Sequence, residues 1–114
     1  MVDEIVRNLK ENIKEYIASG DEEIGKERYN SAVNAYFKAI AVLCDLKIYE
    51  KIRILPKNHS ERFLFLKMHF QEAYQLINPL FDKYTTSYNL RLNKKDALEF
   101  KENVEKLKRI FNFA

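Results

Sequence analysis

Tyr29 to Leu46, "YNSAVNAYFKAIAVLCDL", is the stretch whose reading decides the fold. Wound as a helix, it is apolar around most of its circumference. A surface helix shows one apolar stripe, whereas a helix covered on several sides shows this pattern. Ala32, Ala35 and Ala39 are small and spaced to admit a neighbouring helix closely. The segment therefore predicts a central helix. Asp21 is placed to cap it, with Glu22 and Glu23 in the first turn where they complement the helix dipole. It is expected to run to about Tyr49.

On the N-terminal side, Val2, Ile5, Val6, Leu9, Ile13, Tyr16 and Ile17 form one stripe of an amphipathic helix. Lys10, Glu11, Lys14 and Glu15 fill the opposite side. Ser19 and Gly20 are expected to end that helix, since glycine commonly closes a helix C-terminus. On the C-terminal side, Pro56 lacks an N–H and disfavours helix at Leu55, so residues 52–57 read as a loop or as the fraying end of the second helix. Asn58-His59-Ser60-Glu61 has the form of a capping box and opens a third helix. Phe63, Leu66, Phe70, Ala73, Tyr74 and Ile77 are its stripe. Asn78-Pro79 either kinks this helix or starts another, which continues through Leu80, Phe81, Tyr84 and Tyr88. Residues 89–93 read as a turn, and Asn93 to Asp96 caps a last helix facing inward with Ala97, Phe100, Val104, Leu107, Ile110 and Phe111.

Composition agrees. Two glycines and two prolines in 114 residues are too few for the many tight turns of an all-β domain. With 46% hydrophobic and 32% charged residues, residues 1–114 make one domain with a core and a solvated surface. The expected fold is all-α: a four- to five-helix up-and-down antiparallel bundle. A net charge of +3 permits nucleic acid without indicating it. Cys44 is the single cysteine, which excludes an intrachain disulfide and a cysteine zinc site and suits a reducing cytoplasm. The N-terminus alternates charge with apolar residues, unlike a signal peptide, and no run is apolar for a membrane span.

Three segments carry a resemblance. "GKERYNSAVNAYFKAIAVLCDLKIY" (25–49) precedes "PKNHSERFLFLKMHF" (56–70) and "FDKYTTSYN" (81–89). Together they resemble the HEPN domain (higher eukaryotes and prokaryotes nucleotide-binding), in its small stand-alone prokaryotic form. The likeness spans roughly residues 21–110 and rests on Ala35 to Ile40, on His59 opening a helix, and on Tyr84 and Tyr88 late in the chain. It implies a bundle that dimerises, often paired with a minimal nucleotidyltransferase as toxin and antitoxin. Many members are metal-independent ribonucleases whose signature is an arginine followed a few residues on by a histidine.

Arg53 and His59, with five residues between them, match that spacing and are the catalytic candidates. A histidine supplies a base near neutral pH, and an arginine can hold a phosphate as charge develops. The departures are specific: Ile54 follows the arginine where a polar residue is usual, Pro56 intervenes, and the late segment "YTTSYNLRL" (84–92) has no histidine. Arg62 shares a helix face with His59 and is a candidate phosphate ligand near a helix N-terminus. Tyr84 and Tyr88 are candidates for a nucleotide or RNA groove, although tyrosines at i, i+4 also pack inward with hydroxyls at the rim. Tyr29, Tyr36 and Phe37 read as core or dimer interface, and Cys44 as a buried small hydrophobe. Lys94 and Lys95 oppose the dipole of the last helix and could face an acidic partner. His69 is about three helical turns from His59, so the two share no metal, and no cofactor or metal is expected.

The leading expectation is a non-catalytic binding or regulatory module, dimeric, whose partner is a nucleotide, an RNA or a nucleotidyltransferase. A ribonuclease toxin using Arg53 and His59 is the alternative, and a structural bundle without ligand is the third.

Overall fold

An all-round apolar helix needs cover on every side, and the central helix receives it. The computed structural model describes residues 3–113. Among them the chain forms α1 (Glu4–Gly25), α2 (Tyr29–Ile52), α3 (His59–His69), α4 (Gln71–Thr86) and α5 (Lys94–Ile110), and no strand. The all-α bundle expected from composition and periodicity is the observed fold, measuring 41 × 27 × 23 Å. α2 packs against all four other helices. It buries Val33, Tyr36, Phe37, Ile40, Leu43, Cys44, Leu46 and Ile48. α1 supplies Ile13, α3 Leu66, α4 Ile77, and α5 Phe100 and Leu107 to the same core. Each large apolar side chain taken fully out of water contributes about 1.5–3 kcal/mol before entropy is charged against it.

The first boundary differs from expectation. α1 runs straight through Ser19 and Gly20 to Gly25, and α2 starts only at Tyr29. Gly20 does not stop the helix because its missing side chain makes room for another helix. A Cβ there would lie 2.6 Å from Cδ1 and 2.7 Å from Cζ of the buried Tyr36 ring. Asp21 caps nothing. Its carboxylate accepts from the Tyr36 hydroxyl at 2.5 Å and pairs with Lys101 at 3.1 Å, tying α1 to α2 and α5. The turn is made at residues 26–28, with Glu27 at φ 59°.

The second difference concerns Pro79. Of the two readings, the start of a new helix fails, because Pro79 lies inside α4. Proline cannot bond the carbonyl four residues back, here that of Gln75. Both residues face solvent, so water reaches that carbonyl. The break falls instead at Phe70, with φ −140° and ψ 67°. Phe70 closes α3 by donating its N–H to Leu66 O at 2.7 Å and opens α4 by accepting from Tyr74 N at 3.0 Å. Its ring sets the position, packing edge-on against Phe111 at 5.5 Å with the Lys51 ammonium 5.3 Å above it.

The caps read at the starts of α3 and α5 form, the first in part and the second in full. Asn93 and Asp96 form a reciprocal capping box at α5. Asn58 accepts from Glu61 N at 2.9 Å, but the returning Glu61 carboxylate takes Lys57 N at 3.1 Å, one residue early. The turn between α4 and α5 is held from α2. Asn30 donates to Ser87 O at 2.9 Å and Leu90 O at 2.8 Å, and accepts from Leu92 N at 2.8 Å. Three backbone groups of one loop thus depend on one amide. Asn30→Ala is expected to cost about 2 kcal/mol, since each net hydrogen bond contributes about 0.5–1.5 kcal/mol. A urea titration reads this as a lower midpoint at unchanged slope. A loss below about 0.5 kcal/mol would mean that water replaces the amide without penalty.

Candidate functional site: the Asp45–Arg62–His59 cluster

α3 begins with His59, and Arg62 follows three residues on, so both side chains share a face. That face meets α2. The Arg62 guanidinium grips Asp45 with two parallel bonds, Nε to Oδ1 at 2.7 Å and Nη2 to Oδ2 at 3.0 Å. Its Nη1 donates to His59 Nδ1 at 2.7 Å. Both ion-pair side chains are largely shielded, 13% and 15% exposed. A fork-on-fork pair in that setting is stronger than a surface ion pair and geometrically specific.

The imidazole also sits among aromatic rings. Its centroid is 5.0 Å from Phe81, 5.8 Å from Phe37 and 6.3 Å from Tyr84. Phe37 and Tyr84 stack nearly parallel at 4.2 Å. The Tyr84 hydroxyl bonds that of Tyr88 at 2.6 Å, and burial followed by that contact pushes the Tyr84 phenol up to about 12. Tyr84 packs inward, whereas Tyr88, one turn later, lies beyond the end of α4 and is 65% exposed. The expectation that both tyrosines turn inward holds for Tyr84 alone.

Partial burial, and then the Arg62 charge, hold the His59 imidazole below its ordinary value against the opposing pull of Asp45. It is neutral at neutral pH. A guanidinium only donates, so Nδ1 must accept and the ring proton sits on Nε2. In this state the ring offers an N–H donor, not a basic lone pair.

Arg53 engages partners outside this cluster. It is the left-handed C-cap of α2, at φ 59°, with its guanidinium 4.4 Å above the Tyr49 ring and 2.9 Å from Asp3. Of the residues singled out in the sequence, the structure joins His59, Arg62, Tyr84 and Tyr88, while Arg53 pairs with Asp3 and Tyr49. Arg62 spends its charge on Asp45 rather than presenting it to solvent. Cys44 is fully buried, and burial pushes its thiol up, which makes it an inert core group. Lys94 and Lys95 are exposed, and the neighbouring Asp96 and Glu99 take Lys83 at 3.4 and 2.8 Å. Among the described residues no three His, Cys, Asp or Glu side chains are grouped to hold a metal ion. No helix there is long and apolar enough to cross a membrane.

Asp45, Phe37 and Phe81 complete the cluster without having been singled out as site residues. Asp45 carried a signal: a carboxylate within the apolar run of a central helix requires a cationic partner.

Fold and site together define an all-α bundle with a polar triad set into an aromatic cluster at the α2–α3–α4 junction. No protein-family model matches the chain, and the comparisons with curated proteins and with solved structures return no match.

Proposed function

We propose that this chain is a HEPN-like module that binds rather than cuts. It acts as a homodimer in a regulatory role, on a nucleotide, an RNA or a minimal nucleotidyltransferase partner. The observation that carries this reading is the separate employment of Arg53 and His59. Arg53 caps α2 and pairs with Asp3, while His59 Nδ1 is occupied by Arg62. A transesterifying ribonuclease would need the histidine free as a base and the arginine beside it on one phosphate. Binding has material to work with: Tyr88 is exposed, and Leu64 and Met68, one turn apart on α3, are 53% and 64% exposed.

Incubated with a folded RNA and no added metal, the purified protein is expected to leave it intact. His59→Ala is expected to behave identically. Cleavage by the wild type that His59→Ala or Arg53→Ala abolishes would overturn the proposal and make the chain a ribonuclease toxin acting through those residues. A neighbouring nucleotidyltransferase gene would favour the paired toxin–antitoxin arrangement over a ligand-free structural bundle.

A further inference from the structure

α3 is the least anchored helix of the bundle. It has 11 residues, and Leu66 is the one among them that is fully buried. A loop containing Pro56 joins it to α2, and the break at Phe70 ends its helical continuity with α4. Its first two turns are held by Arg62 on Asp45, by the His59 ring against Phe37 and Phe81, and by Phe63 edge-on to Phe81 at 5.2 Å.

The contact between His59 and Arg62 tolerates one protonation state only. Arg62 has five N–H donors and no acceptor, so a proton on Nδ1 would set donor against donor and cation against cation at 2.7 Å. The other elements around the ring offer little compensation. α2 presents Asp45, whose two oxygens are already engaged by Arg62, and the apolar Phe37. α4 presents Phe81 and Tyr84, and behind Tyr84 stands Tyr88. The phenol of Tyr84 stays neutral throughout the range in which histidine titrates.

We infer that His59 is an acid-released latch: neutral, it closes the first turn of α3 onto α2 and α4; protonated, it parts from Arg62 and α3 loosens while α1, α2 and α5 stay packed. The remainder has its own core, in which Ile13, Tyr36, Leu43, Phe100 and Leu107 are at 0% exposure. The sign follows from the favoured form. The fold prefers neutral His59, so the latch is fully closed above the ordinary imidazole value of 6.5 and opens as pH falls through the lower folded-state value. This inference is independent of which ligand the module binds.

Amide hydrogen exchange followed by NMR tests it on the full chain, between about pH 8 and about pH 5. Rates are normalised to those of unstructured peptide, and the His59 ring protons are followed in the same samples. Protection of the α3 amides is expected to fall at least about tenfold, with a midpoint matching the His59 titration, while α2 and α5 hold. His59→Gln keeps an acceptor for Arg62 but takes up no proton, so its α3 protection should be independent of pH. The latch is refuted by constant α3 protection across the His59 titration, or by an equal fall in His59→Gln. Should that variant fail to fold, mismatched wild-type midpoints refute it, as does a His59 that stays neutral until the whole chain unfolds.

Discussion

Asp45→Ala is expected to cost about 3 kcal/mol. Breaking a buried pair by removing one partner typically costs about 3–5 kcal/mol, because the surviving charge is left without water or counter-ion. The slight exposure of both side chains places this pair at the low end of that range. The survivor here is the Arg62 guanidinium, whose other hydrogen-bond partner, His59, carries no charge to offset it. Urea unfolding would read the loss directly, and melting should drop by about 12 °C for a domain of this size. Removing both charges should be gentler: Asp45→Leu combined with Arg62→Met is expected to recover most of the stability, since apolar replacements of buried pairs are often neutral. A loss below about 1 kcal/mol for Asp45→Ala would show that Arg62 swings into water and that the pair has only surface strength. The substitution has a second readout. Asp45 is the group that pulls the His59 value upward, so its loss should move the imidazole titration to still lower pH.

Gly20→Ala should destabilise the bundle by about 2–3 kcal/mol, although alanine is the better helix former by about 1 kcal/mol. The added methyl meets three ring atoms of Tyr36 closer than any carbon contact allows. That ring cannot step aside. Its carbon frame is fully buried, and its hydroxyl is fastened to Asp21, the residue next to Gly20. The methyl must therefore push α1 off α2 or tear the hydroxyl bond. Tyr36→Leu made in the Gly20→Ala background separates this clash from a plain cavity effect. The pair should cost less than the sum of the two single substitutions by at least about 1 kcal/mol, as expected for residues in contact. Strict additivity would rule out the clash as the cause.

Both predictions rest on contacts between residues 15 or more positions apart, and this marks the limit of what could be read from the chain. Features with local causes were legible. The Asn93–Asp96 capping box involves neighbours only, and so does the Asn58 cap. The inward face of α5 follows from helical periodicity. The all-round apolar surface from Tyr29 to Leu46 was sufficient to make α2 the central helix, because no other arrangement keeps those side chains from water.

Features with distant causes were not legible. By local rules Gly20 is a helix stop and Asp21 a cap, yet the ring of Tyr36 makes one a contact surface and the other an anchor. Pro79 left open whether it stands inside a helix or starts one; it lies within α4 on a solvent face, where a missing hydrogen bond costs little. Phe70 looked like one more stripe residue, yet its packing on Phe111 from the far end of the chain ends α3 there.

The site divides in the same way. Histidine at the start of α3 with arginine three residues on is a sequence fact, as is the chemistry each side chain can perform. Which of them meet was decided by the packing of α3 on α2. That packing gave Arg62 to Asp45 and His59, left Arg53 to Asp3 and Tyr49, and engaged the Nδ1 lone pair of the one histidine that the ribonuclease alternative needed free as a base. The sequence by itself determined the helices and their common core, because burial of apolar surface depends on periodicity and not on particular partners. Only the tertiary structure decided the pairings, because a charge or a ring takes its protonation state and its role from the groups that reach it through space.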